Sequence, residues 1–183
     1  MANLLDAEQA VIWRGPLRSK LLGQFINEVD WGNLEYLIAD LPPGTGDEIL
    51  TMTQEMKPQL AVIVTTPQEV SLIDSARAIN MAIKMKIPKI ALVENMAGMS
   101  CPNCGKFIDL FGSGGGRKQA EAMNIDFLGS IPMSIKSRQL SDEGRPVILE
   151  NGASEVSSNI FDIVRKIEDM CNLMKVKPLF ANN

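Results

Sequence analysis

The chain has 183 residues, 45% hydrophobic and 22% charged, with 18 basic against 22 acidic side chains and a net charge of −4. These proportions exclude disordered, collagen-like and coiled-coil classes, and the length suits one domain over residues 1–183 with enough core to fold unaided. No histidine is present, which removes Ser-His-Asp and Cys-His nucleophiles and every His-ligated metal; mild acidity gives no reason to expect nucleic acid as the main partner, and 5% aromatics argue against a base-stacking surface.

The N-terminal MANLLDAEQAVIWRGPL carries early acids and no uninterrupted apolar core of signal-peptide length. No run approaches the ~18–20 apolar residues that span a bilayer, so a soluble, cytoplasmic protein without a membrane partner is expected. Trp13-Arg14-Gly15-Pro16 reads as a compact loop in which Arg14 is an ordinary surface cation or a phosphate contact. Four short apolar runs follow, each ending in a polar or proline-containing turn: Leu34–Ala39, Leu60–Thr65, Lys89–Val93 and Asp126–Ile131. Such runs are the pattern of strands buried on both faces. Between them, Gln68–Lys86 places Leu72, Ala76, Ile79 and Ile83 on one helical stripe. Gly114–Gly116 reads as a turn leading into a short helix over Arg117–Met123. Ser154 starts a last helix to Met174 with Val156, Ile160, Ile163, Val164, Ile167, Cys171 and Met174 on one face. Alternating strands and helices predict an α/β fold, a mostly parallel sheet with helices on both faces. Ligands of such sheets gather at the C-terminal strand ends. Asp40 with its Pro-Gly loop, Thr66-Pro67, Asn95 and Pro132 occupy those ends.

Three motifs carry chemistry. Asp40-Leu41-Pro42-Pro43-Gly44-Thr45-Gly46-Asp47 puts a carboxylate at a strand end, where it can hold Mg²⁺, before glycines whose amides can approach a phosphate. The plain alternative is a strand-to-helix turn capped by Asp47. Cys101-Pro102-Asn103-Cys104-Gly105 bends two sulfurs toward one ion, a metal knuckle. Two thiolates complete neither a tetrahedral zinc site nor an iron–sulfur cluster, and two copies of the chain across a two-fold axis supply four. Zinc and iron–sulfur are equally compatible with this pair, and redox dithiol chemistry is a further option. Gly112-Ser113-Gly114-Gly115-Gly116 lacks the spacing G-x-x-x-x-G-K-[ST], which occurs nowhere in the 183 residues, so a turn before a helix is the better reading. Asn95 is either a turn former or a carboxamide that reads an adenine edge. The 11 methionines are best explained as core filling.

IWRGP (12–16), DWGNLEYLIADLPPGTGDE (30–48), VTTPQEVSLIDSARAI (64–79), VENMAGMSCPNCG (93–105), FGSGGGRKQAE (111–121) and GSIPM (129–133) resemble the Mrp family. These are iron–sulfur cluster carrier ATPases of the MinD-like group of deviant P-loop NTPases, and the likeness runs from about residue 10 to 170 in the family's order. The resemblance implies a P-loop NTPase α/β sandwich of the MinD type working as a homodimer. It makes Asp40 the Mg²⁺-linked switch residue of ATP chemistry, with Gly44 and Gly46 in its loop. It places Asn95 and the segment around Pro132 in the adenine pocket. It implies that Cys101 and Cys104, with their copies in the partner, hold a bridging 4Fe–4S cluster destined for apo iron–sulfur proteins. Zinc at the same cysteines, in a stapled dimeric interaction module, is the alternative. Family members also carry, ahead of the segment matching residue 10, a K-G-G-V-G-K-S-type loop that cradles phosphate, where this chain has MANLLDAEQ. The expectation is therefore an N-terminally incomplete fold, the C-terminal two-thirds of a carrier. It should show negligible ATP hydrolysis by itself and an exposed apolar flank on the sheet.

Overall fold

The computed structural model describes residues 15–42, 44, 46–150 and 154–174. Arg14 and most of IWRGP lie outside these residues. The chain divides into two compact units, Met1–Lys57 and Pro58–Asn183.

In the first unit, helix α1 (Gly15–Asn27) packs on α2 (Asp47–Met56), burying Ile26, Thr53 and Met56. Thr51 Oγ1 donates to Ser19 Oγ at 3.0 Å across the pair. The stretch between the helices corrects one expectation. Leu34–Ala39 is no strand; neither sheet includes it, and Ile38 is 88% exposed. The run has strand composition, but a strand exists only through ladder partners on a neighbouring backbone. Composition supplies the propensity and not the partner.

The second unit is built as the alternation predicted. Strand β1 (Leu60–Thr65) leads through α3 (Glu69–Lys84) to β2 (Lys89–Asn95). A two-stranded hairpin, β3 (Met99–Ser100) and β4 (Phe107–Ile108), precedes α4 (Gly115–Ala122), β5 (Asp126–Ile131), α5 (Ile135–Asp142) and α6 (Glu155–Leu173). The main sheet is parallel in the order β1-β2-β5. Helices α3 and α4 cover one face, over Ile79, Ala82, Ile90, Leu92 and Ala120. Helix α6 covers the other, over Ala91, Val93, Leu128 and Ile163. The α/β class with helices on both faces is thus the observed one.

Burial on both faces holds for the central strand alone. Ile90 to Glu94 of β2 are all buried, whereas on β1 Val62 and Val64 are 39% and 60% exposed. An edge strand keeps one well-covered face, here Ala61 and Ile63 against the α3 side, while on the other face Leu60 alone packs on the cluster beneath α6. The stripe on α3 is also shifted. Ser75, Ile79 and Ala82 are buried while Ile83 is 48% exposed. A polar residue enters the stripe because Ser75 Oγ donates to Gln119 Oε1 of α4 at 2.7 Å. On α6, Val156 and Ile163 are buried and Val164 lies at the margin, 41% exposed. Its start at Ser154 is as expected, with Ser157 N–H donating to Ser154 Oγ at 3.1 Å. Among the described residues no helix is long and apolar enough to cross a membrane.

Candidate functional site

Parallel strands end on the same edge, so β1, β2 and β5 bring Thr66-Pro67, Asn95 and Pro132 to one side of the sheet. Asn95 pairs directly with Ile131, so Asn95 and Pro132 are neighbours by register. A register irregularity between Leu92 and Val93 resets this pairing, because Leu92 faces Phe127 and Val93 faces Gly129. Asn95 Oδ1 accepts from Met96 N–H at 2.9 Å. Its second lone pair and its NH₂ group take no part in that bond.

Asp40 is exposed and closes the extended stretch of the first unit rather than a strand. Gly44 follows with φ +101. Gly46 is the cap residue of α2, its carbonyl accepting from Ile49 N–H at 3.1 Å and Leu50 N–H at 3.3 Å. Asp47, a candidate cap in the sequence, is instead the first helical residue.

Between β2 and α4 the chain forms the cysteine hairpin. Cys101 N–H donates to Lys106 O, and Gly105 N–H donates to Cys101 O, each at 2.9 Å. These bonds close a tight turn around Pro102-Asn103. Gly98 suits its base, since φ is +72 and an added Cβ would meet the Phe107 ring. Both thiols are free; Cys104 is exposed and Cys101 partly so. The Asn103 and Cys104 backbone N–H groups and the Cys104 thiol all donate to the Cys101 sulfur, which holds its pKa below the ordinary thiol value. A sulfur ringed by donors is set up to be a thiolate, the form that ligates metal. Alkylation of Cys101 by iodoacetamide, followed by peptide-resolved mass spectrometry, should therefore titrate below the usual thiol range of about 8.5. A midpoint at or above it would contradict this donor geometry. Among the described residues no three His, Cys, Asp or Glu side chains are placed to share one ion. Cys171 sits on α6, partly buried.

One residue of this edge escaped the sequence reading. Glu94, which follows the apolar run Ile90–Val93 of β2, is 1% exposed. Its Oε1 accepts from Gly114 N–H at 3.0 Å and from Ser130 Oγ at 3.2 Å, and its Oε2 accepts from Gly116 N–H at 2.6 Å. The glycine run is therefore neither a phosphate cradle nor a loose turn. Its amides, at the positive end of α4, already hold an anion, and that anion is the protein's own carboxylate. A Cβ on Gly115 would meet Pro67 O and Leu72 Cδ1 at 2.8 Å, and one on Gly116 would meet Glu94 Cβ at 3.0 Å. The available signal was a carboxylate inside an apolar strand, which requires a buried partner.

Comparisons with known proteins fit this architecture. Residues 1–168 match the model of the ParA family described as NUBPL iron-transfer P-loop NTPase. An iron-sulfur cluster carrier protein of Pyrococcus horikoshii is 52% identical over 149 residues, covering 81% of this chain and 50% of the relative. The iron-sulfur cluster transfer protein NUBPL of Dictyostelium discoideum is 41% identical over 167 residues, covering 91% and 52%. The chain thus spans about half the length of the curated relatives it matches. Among solved structures, a nucleotide-binding protein of Archaeoglobus fulgidus, in complex with ADP, superposes with a TM-score of 0.63 at 45% identity, covering 70% of this chain and 53% of that one. The cell division protein MinD of Aquifex aeolicus superposes at 0.61 with 19% identity, covering 86% and 62%, a likeness of fold. On sequence, strand order and relatives together, the chain belongs to the ParA/NUBPL iron-transfer P-loop NTPase family.

Proposed function

We propose that this chain is an iron–sulfur cluster carrier in which Cys101 and Cys104 are the cluster ligands and the cluster is cargo. The observation that carries the reading is the hairpin. It presents two free thiols on one tight turn closed by backbone hydrogen bonds, Cys104 exposed and Cys101 partly so. Relatives named as carrier and transfer proteins support the same cargo.

Two thiolates per chain leave a four-thiolate cluster half ligated. A second copy contributing its own pair completes the set, and the cluster, of 4Fe–4S type, bridges the two subunits. Phe107, 54% exposed and paired with Ser100 next to Cys101, offers apolar surface for that contact. Delivery to an apo-protein is ligand exchange. Each client thiolate takes an iron position as a Cys101 or Cys104 thiolate leaves it, with no net oxidation or reduction. The exposure of Cys104 gives the incoming thiolate its access.

Nucleotide base is assigned to the C-terminal edge of the sheet in the second unit, at Asn95 and Pro132. Within the first unit, Asp40, Gly44 and Gly46 are the residues the family likeness assigns to Mg²⁺ and phosphate. The likeness to an ADP-bound structure supports it. The test of the cargo is metal analysis of protein purified and reconstituted without oxygen. Iron and sulfide bound at two chains per cluster are expected. Zinc shared between two chains, with no iron uptake, would replace the carrier by a zinc-stapled interaction module.

A further inference from the structure

We propose that the buried Glu94 carboxylate is the positioning residue of the cysteine hairpin, tying its outgoing stem to the strand end from which its incoming stem departs. The inference rests on the reading of Cys101 and Cys104 as the ligand pair.

The hairpin is an excursion between two fixed points. Its incoming stem, residues 95–98, continues β2 directly. There Ala97 N–H donates to Ile131 O at 3.1 Å, and Met133 N–H donates to Gly98 O at 2.8 Å. These bonds tie the incoming stem to the end of β5. The outgoing stem, residues 109–114, has no strand to hold it. Its last residue, Gly114, donates its N–H to the Glu94 carboxylate, beside Gly116 N–H of α4, and Gly112 lies against Pro67. Ser130 Oγ, also on β5, donates to the same carboxylate. Both stems thus converge on the Glu94-Asn95 and Ser130–Met133 positions, the segments assigned above to the base of a nucleotide.

A carboxylate suits this task better than an amide. Both oxygens accept, and all three partners donate, so every hydrogen bond is charge-assisted and none faces a donor of its own kind. In Glu94→Gln one oxygen becomes an NH₂ group that confronts a backbone donor, either Gly116 N–H or Gly114 N–H. The shape is kept and the clamp is opened. Nothing else in the core is removed, since Gly115 and Gly116 keep their fit against Pro67 and Glu94's own Cβ.

The experiment compares Glu94→Gln, Ser130→Ala and a control, Ile163→Val, which trims the core beneath α6 on the other face of the sheet. All are made in the full 183-residue chain. Amide hydrogen exchange is read by NMR at Gly114, Gly116, Cys101 and Gly105. Affinity for Co²⁺ is read from thiolate-to-cobalt absorption. In Glu94→Gln, exchange at all four amides should rise about tenfold or more over the control, the fold-change of one charge-assisted hydrogen bond. Cobalt should bind at unchanged stoichiometry but more weakly, and Ser130→Ala should show a smaller shift of the same kind. Cys101 and Gly105 do not touch Glu94, so their acceleration separates positioning from local loss. Exchange at Cys101 and Gly105 equal to that of the control would overturn the proposal. If Glu94→Gln does not fold, the Ser130→Ala exchange profile decides it by the same criterion. Wild-type protein that takes up no cobalt at its cysteines sinks the carrier reading instead and leaves the exchange test standing.

Discussion

Replacing Cys101 and Cys104 together with alanine is expected to abolish cluster binding. Wild-type protein reconstituted anaerobically with iron and sulfide should turn brown, through charge transfer at thiolate-bound iron, and the double variant should stay colourless. The effect is close to all-or-none because the hairpin holds no other cysteine or histidine to substitute. The chain has no histidine, and its third cysteine sits partly buried on α6, away from the hairpin in sequence. The fold should not suffer. Cys104 is exposed, and the hairpin's closing bonds run between backbone groups of Cys101, Gly105 and Lys106 that alanine retains. Stoichiometric iron in the double variant would refute the ligand assignment.

Leu92→Ala should cause the largest loss of stability. Leu92 is fully buried at the centre of β2, among Ile79, Ala82, Ile90 and Ala120, with α3 and α4 closing over it. Truncation removes buried methyl groups and leaves a cavity that close-packed strands and helices cannot collapse, at a cost of about 2–5 kcal/mol. For a chain of this size that lowers Tm by roughly 10 °C, measurable by circular dichroism. Ala61 faces the same helices from the edge strand and is only partly buried, so a change there should cost less. A loss at Leu92 below about 0.5 kcal/mol, the level of an ordinary surface change, would mean that β2 is not the central strand.

The two predictions draw on different levels of the sequence. Lys89–Val93 was legible as a strand because an unbroken apolar run has one physical destination, a position covered on both sides. Leu60–Thr65 has the same composition yet lies at an edge with Val64 largely exposed. Composition reports what a residue prefers, and the number of neighbours a strand receives is set by topology. Leu34–Ala39 marks the limit of that reasoning, for there the preference is present and no ladder forms.

The site shows the same division. Local sequence determined the cysteine knuckle, because proline, glycine and a two-residue spacing shape a turn by themselves. It determined the parallel α/β alternation, and through it the convergence of Asn95 and Pro132, since parallel strands must end on one edge. Glu94 depended on tertiary structure. A carboxylate in a strand becomes a clamp only when a glycine run 20 residues later is brought against it, and nothing local marks two such segments as partners. The same contact decided that the glycine amides hold a side chain rather than a phosphate. Short-range patterns fix conformation through the chain's own sterics and hydrogen bonds, whereas a buried charge finds its donors only after the sheet and α4 have closed around it.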